Sequence, residues 1–166
     1  MPHRKVAEIV PSRRIVRLPP QASVREASRL MVRERVGAVL VIEGPGEGAG
    51  EAERLVGIFT ERDALNRVIA TEREPEHTTL AEVMTPDPVT VSPQATAIEA
   101  LRLMRDGGYR HLPVAEPEES GRVRVVGVIS LRDFIGAELA AVEQEARFTA
   151  LLADGSGRGG GPSRGQ

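Results

Sequence analysis

The chain has 166 residues, 40% of them hydrophobic and 28% charged, with a formal net charge of -2. That is room for one compact domain or two half-domains sharing a core, and charges of both signs are interspersed, so no electrostatic footprint for DNA or RNA is present. Aromatic residues make up 2% and cysteine is absent, which argues against stacking platforms for single-stranded nucleic acid and excludes disulfides and thiolate metal sites.

In chain order, Met1-Pro2-His3-Arg4-Lys5 is not followed by an apolar run, so no secretory signal is expected. No apolar stretch reaches the roughly 20 residues of a membrane span. The expectation is a cytoplasmic protein that engages neither membrane nor nucleic acid. Ile15-Val16-Arg17-Leu18 reads as a short strand ended by Pro19-Pro20. Ser23 and Glu26 have capping-box spacing, and Val24, Ala27, Leu30 and Met31 then recur at helical spacing. Residues 38–42 form a short β-branched run suited to a buried strand. A glycine-rich connection follows at 44–50, then a strand at 55–59. From Thr60 a helix carries Ala64, Leu65, Val68 and Ile69, and residues 72–77 are a charged linker.

The same order then returns: a strand at Val89-Thr90-Val91, a capping box at Thr96 and Glu99, and a helix to about Arg105. Strands are expected at 111–114 and 123–129, and a helix over 131–152. Residues 155–166, rich in Gly, Ser, Pro and Arg, cannot bury enough apolar surface to order themselves. The recurrence is written in the residues themselves. Pro20-Gln21-Ala22-Ser23-Val24-Arg25-Glu26-Ala27-Ser28-Arg29-Leu30-Met31 matches residues 93–104 at eight of twelve positions, at a spacing of 73. Gly57-Ile58-Phe59-Thr60-Glu61-Arg62-Asp63 returns as Gly127-Val128-Ile129-Ser130-Leu131-Arg132-Asp133, at a spacing of 70. Two such units imply a pseudo-symmetric α/β module, with a cleft between the halves as the natural ligand site.

Little points to catalysis. No nucleophile-base pair stands out, and His3, His77 and His111 lack any metal-ligand spacing. The glycine-rich stretches do not follow a strand and open a helix, as a phosphate-cradling loop must. Read locally, Thr60-x-x-Asp63 and Ser130-x-x-Asp133 are helix caps.

Taken together, the duplicated Gly-apolar-apolar-[Ser/Thr]-x-x-Asp endings, Val83-Met84-Thr85-Pro86 and Tyr109-Arg110-His111-Leu112-Pro113-Val114 resemble tandem cystathionine-β-synthase (CBS) domains over roughly residues 6–143. The resemblance implies an α/β fold of two pseudo-symmetric β-α-β-β-α CBS units packed sheet to sheet into one Bateman module. The units would span 6–73 and 78–153, with a disordered tail at 154–166. It further implies an adenosine-containing ligand (AMP, ADP, ATP or NAD) between the units, with no cofactor required, no metal and no catalytic residue. Asp63 and Asp133 would accept hydrogen bonds from the ribose hydroxyls, with Thr60 and Ser130 beside the ribose or phosphate. Arg110 and His111 would contact phosphate, and Val16 and Val89 would border the adenine. A carboxylate suits a diol, and a guanidinium fork suits phosphate oxygens.

Where the second unit has Arg110-His111, the first has Gly37-Ala38. Its phosphate would need Arg13, Arg14, Arg62 or residues lent by the other half, so the two clefts are expected to be unequal. The cleft using Asp133, Arg110 and His111 would be the better phosphate binder. Arg62 and Arg132, just before the aspartates, would face either phosphate or solvent. The implied function is a regulatory sensor signalling by conformational change, as a homodimer, toward an unidentified regulated protein. Ala64/Leu65/Val68 and Phe134/Ile135/Leu139 are the candidate dimer faces. The alternatives are a ligand-free CBS scaffold that docks on and regulates an enzyme or transporter, and, more remotely, a nucleotide-processing enzyme with Asp63 or Asp133 as base.

Overall fold

Each half of the repeat folds around one amphipathic helix laid on one hairpin. The computed structural model describes residues 4–11, 15–44, 53–119 and 122–134. After a 3₁₀ turn at Val6–Glu8, the first half contains β1 (Arg17–Leu18), α1 (Val24–Glu34), β2 (Ala38–Glu43) and β3 (Arg54–Thr60). It closes with α2 (Glu61–Asp63), which continues as a π-helix over Ala64–Ile69. The second half contains α3 (Leu80–Val83), β4 (Thr85–Pro86), α4 (Ala97–Gly107), β5 (His111–Pro117) and β6 (Val123–Ser130), and residues 131–134 are helical.

The two halves agree in detail. The N-cap hydroxyl of Ser23 accepts from Glu26 N at 3.1 Å, and that of Thr96 accepts from Glu99 N at 3.2 Å. Val24, Ala27 and Met31 on α1, and Ala97, Ala100 and Met104 on α4, are the buried stripes that face the sheets. Both helices end in a left-handed residue, Arg35 (φ 56) and Gly108 (φ 68). β1 runs parallel to β2, β2 antiparallel to β3, and β5 antiparallel to β6. The bulge between Val41 and Ile42 recurs between Val114 and Ala115, 73 residues on.

Several expectations change. Ser23 forms only the N-cap half of its box, whereas at Thr96 both halves form, with Thr96 N reaching Glu99 Oε2 at 2.7 Å. The first strand shortens to Arg17–Leu18, although Val16 O still accepts from Leu40 N. The strand expected at 89–91 is reduced to a bridge between Val91 and Val114, between Pro88 and Pro93, which lack the N–H a ladder needs. The helix after Thr60 changes pitch. Ala70 N bonds to Leu65 O at 2.9 Å and Arg73 N to Val68 O at 3.0 Å, both spanning five residues. Val68 is buried while Leu65 and Ile69 face outward, and Phe134 is also buried. Two residues expected on an outer dimer face are therefore core. Ile135, Leu139, the remaining helix to 152, positions 45–50 of the glycine-rich connection and the tail lie outside the described residues.

Packing crosses the halves in a way that the linear order hides. α3, from the second half of the chain, buries Leu80 and Val83 in the first core with Val39, Val41 and Phe59. The 3₁₀ turn at the start of the chain buries Val6, with Ile9 beyond it, in the second core with Leu112, Val114 and Ile129. Main-chain bonds hold both exchanges: Leu80 N to Ala22 O at 2.9 Å, and Val6 N to Ala95 O at 2.8 Å. Each exchanged segment then lies on the glycine that opens a repeated motif. A Cβ on Gly57 would overlap the Met84 sulfur, and one on Gly127 would overlap a Val10 methyl. That close approach is what these two positions require. A third cluster of Ala38, Leu40, Ile42 and Ile58, packed against Val125 and Val128, joins the two hairpins face to face. Burying a side chain such as Leu40 contributes roughly 1.5–3 kcal/mol, so this seam fixes the halves on each other.

Candidate functional site

Two cavities open beside that seam. The first, of about 760 Å³, is walled by aliphatic side chains including Val16, Met31 and Val128. Its polar lining comes from both halves: Arg35 and Glu61 from the first, Arg110, His111, Ser130 and Arg132 from the second. The second, of about 610 Å³, sets Arg62, Arg102, Arg105 and Arg110 around Leu101, Met104 and Tyr109. Both volumes fall in the roughly 300–1,000 Å³ range of small-molecule sites.

The cavities are counterparts under the repeat. Leu101, Met104, Gly108 and Arg110 of the second stand 73 residues beyond Ser28, Met31, Arg35 and Gly37 of the first. Arg62 and Leu131 of the second likewise stand 70 before Arg132 and 70 beyond Glu61 of the first. Arg110 and Leu131 lie in both linings, in the wall between the two cavities.

Of the residues singled out from the sequence, Val16, Arg110, His111 and Ser130 line the first cleft. Thr60, Asp63, Val89 and Asp133 line neither. The aspartates are engaged in their own helix starts. Asp63 Oδ2 accepts from Thr60 N at 2.9 Å and from Thr60 Oγ1 at 3.1 Å, and Asp133 Oδ2 accepts from Ser130 N at 2.6 Å and Ser130 Oγ at 2.9 Å. Asp63 is buried, and its other oxygen lies 3.6 Å from Arg67 Nε. Caps of this kind are worth about 0.5–2 kcal/mol. Val16 is buried in the cleft wall, whereas its counterpart Val89 is 40% exposed. Arg13 and Arg14 lie outside the described residues.

Four charged lining residues were not anticipated: Arg35, Glu61, Arg102 and Arg105. Arg35 is the most telling. It holds φ 56, a left-handed conformation that costs a non-glycine residue about 1–2 kcal/mol, at the helix end where its counterpart is Gly108. The strained cap sets a guanidinium on the rim of the first cleft, and the signal was present in the sequence, since the repeat aligns Arg35 with a C-terminal glycine. Gly37 explains how the second half reaches the first cleft. A Cβ there would stand 2.9 Å from His111 Nε2 and 3.3 Å from Glu61 Oε2, so both side chains occupy the space over its α-carbon. In the second cleft, Arg62 Nη1 donates to Gly108 O at 3.1 Å, and Arg105 Nε lies 2.8 Å from Asp106 Oδ1. That hydrogen bond raises the arginine pKa and lowers that of Asp106. The expected inequality of the clefts thus takes a different form, because the second is rich in cations of its own. Among the described residues no His/Cys/Asp/Glu group is arranged to hold a metal ion, and no helix is long and apolar enough to cross a membrane.

Comparison with known proteins gives one consistent result. A family model described as CBS domain matches residues 6–70 and 80–140. The CBS domain-containing protein CBSCBSPB2 of Arabidopsis thaliana is 35% identical over 131 residues, 79% of this chain and 22% of that protein. The mitochondrial CBS domain-containing protein CBSX3 of the same plant is 32% identical over 117 residues, 69% of this chain and 52% of its own length. The chain therefore spans about a fifth to a half of the length of these curated relatives. Among solved structures, the CBS domain protein PAE2072 from Pyrobaculum aerophilum, complexed with AMP, superimposes with a TM-score of 0.65 at 27% identity, covering 82% of this chain and 98% of that one.

Proposed function

This chain belongs to the CBS-domain family, and from that premise we propose that it is a regulatory ligand-binding module and not an enzyme. Its ligand is an adenosine-containing nucleotide, AMP, ADP, ATP or NAD, held in the clefts between the two CBS units. The observation that carries this reading is the first cleft: an aliphatic wall suited to a base, and Arg35, Arg110, Arg132 and His111 converging from both halves on its rim. Guanidinium groups bind phosphate oxygens in a fixed fork, and Arg35 is held there against backbone strain. The AMP-bound neighbour from Pyrobaculum aerophilum supports the same ligand class.

Asp133 and Asp63 take the ribose in this reading. To grip a diol, the carboxylate turns the oxygen held by Ser130 or Thr60 away from the cap and toward the cleft. Because the cleft is built from both units, a ligand that binds one relative arrangement better than another shifts the population toward it, and a regulated protein reads the change. The module acts in the cytoplasm as a homodimer, with the outward Leu65 and Ile69 as part of the contact.

A second reading has its own support. Both aspartates close helix caps, as a ligand-free scaffold docking on an enzyme or transporter would need. Thermal melting with AMP, ADP, ATP and NAD separates the two. A ligand present at about 100 times its dissociation constant stabilises the folded state by about 2.7 kcal/mol. A clear rise in Tm with one of the four supports the sensor, and no rise with any supports the scaffold.

A further inference from the structure

The two clefts occupy equivalent places, yet their linings differ in charge. The first contains one carboxylate, Glu61, whose Oε2 lies, with His111 Nε2, in the space over the Gly37 α-carbon. The residue equivalent to Glu61 in the second half is Leu131, which is apolar. Among its described lining residues the second cleft holds no carboxylate, and Arg62, Arg102, Arg105 and Arg110 stand around an apolar floor. Two of these already have partners, Arg62 on Gly108 O and Arg105 on the outward Asp106. Arg102 lies within electrostatic reach of Glu99 and Asp106 on its own helix, Arg110 adds a further cation, and Val32, the first-cleft counterpart of Arg105, brings no charge at all.

From this asymmetry we propose that the clefts divide ligands by the length of the phosphate chain. Glu61 restricts the first to a monophosphate, and the second takes a chain of two or three phosphates. This rests on the nucleotide reading above, and it names which form each cleft accepts. The physical basis is repulsion at short range. Each added phosphate brings about one more negative charge toward the Glu61 carboxylate, whereas in the second cleft it brings that charge toward arginines. Glu61 and the arginines are largely solvent-exposed, so screening keeps the effect to about tenfold per site at ordinary salt.

Isothermal titration at about 0.15 M salt without divalent cations tests it, using AMP, ATP and inorganic tripolyphosphate as probes. In the unmodified protein, ATP and tripolyphosphate each bind one equivalent, and AMP binds the other cleft. In Glu61→Gln, which removes the charge and keeps the shape, a second equivalent of ATP and of tripolyphosphate appears, and ATP affinity rises about tenfold more than AMP affinity. In Arg102→Gln, the single tripolyphosphate site of the unmodified protein weakens about tenfold. Equal changes for AMP and ATP in Glu61→Gln, or an unaltered tripolyphosphate site in Arg102→Gln, overturn the division by chain length. Tripolyphosphate separates the two levels. If it follows the expected pattern while no adenosine compound binds, the charge division stands and the nucleotide reading falls. If none of the three probes binds, both fall.

Discussion

The first cleft and the second differ least in their backbone and most in the side chains that face the ligand space. The same αL ending closes α1 and α4, and the same bulge interrupts β2–β3 and β5–β6. On that common frame, Gly37 stands opposite Arg110, Arg35 opposite Gly108, Val32 opposite Arg105 and Glu61 opposite Leu131. The backbone is held by what lies beneath it. A bulge or a cap is fixed by ladder bonds and core packing, and a one-residue slip would expose a whole apolar face. The charged side chains Arg35, Glu61, Arg105 and Arg110 at the clefts are solvent-exposed and carry little of that packing, so they are freer to diverge. Duplication here supplied a symmetric scaffold, and the chemistry of each cleft was set separately upon it.

The largest expected effect tests whether the clefts are coupled through their common wall. Arg110 lies in both linings, so Arg110→Ala should weaken AMP and ATP alike by about 10–100-fold, the roughly 1.5–3 kcal/mol of a hydrogen bond to a charged group. Titration calorimetry with both nucleotides checks it, and loss confined to one nucleotide would show that the clefts share no anion contact. Arg35→Gly makes the first cap like the second and should move two properties in opposite directions. Relief of left-handed strain, about 1–2 kcal/mol, less the entropy that glycine adds to the unfolded chain, about 0.4–1 kcal/mol, leaves the apo protein roughly 0.5–1 kcal/mol more stable in urea. AMP binding in the first cleft should weaken by about three- to tenfold. A variant that is both less stable and unchanged in binding would remove Arg35 from the account.

The smallest effect concerns the two N-caps. The Thr96 backbone N–H and hydroxyl hold the Glu99 carboxylate below its ordinary pKa, whereas Glu26 makes no such return bond to Ser23. A carboxylate depressed in the folded state contributes stability that is present above its unfolded pKa and lost as pH falls through the folded one. Glu99→Gln should therefore flatten the acid limb of the stability profile slightly compared with the unmodified protein. Urea melts between neutral pH and about pH 3 make the comparison.

Much of this frame was legible because duplication repeats its own evidence. The matching Pro-Gln-Ala stretches and the paired Gly-to-Asp endings give the order of elements, both helix stripes and the fold class. The exchange of Val6–Glu8 and α3 between halves was not legible in the same way. Val6-Ala7-Glu8-Ile9-Val10 does match Leu80-Ala81-Glu82-Val83-Met84 at a spacing of 74, but segments this short have no periodicity, and their choice of core is a tertiary decision. The π-helix over Ala64–Ile69 leaves no mark in its residues either, and it turned Val68 inward. At the clefts, the Arg110-His111 pair stood out through the resemblance. Arg35, Glu61, Arg102 and Arg105 looked like ordinary surface charge on helix ends and faces until the halves were packed together. The aspartates show the reverse limit, since a capping acid and a ribose acceptor have the same local spelling.

That ambiguity is resolved most directly by a crystal structure of the protein grown with millimolar AMP. Occupied density with its phosphate on Arg110 and His111, and its ribose hydroxyls within hydrogen-bond reach of the Asp133 carboxylate, is the outcome expected. Vacant clefts at that concentration, with Ser130 still bonded to Asp133 and Thr60 to Asp63 as in the apo chain, would contradict it.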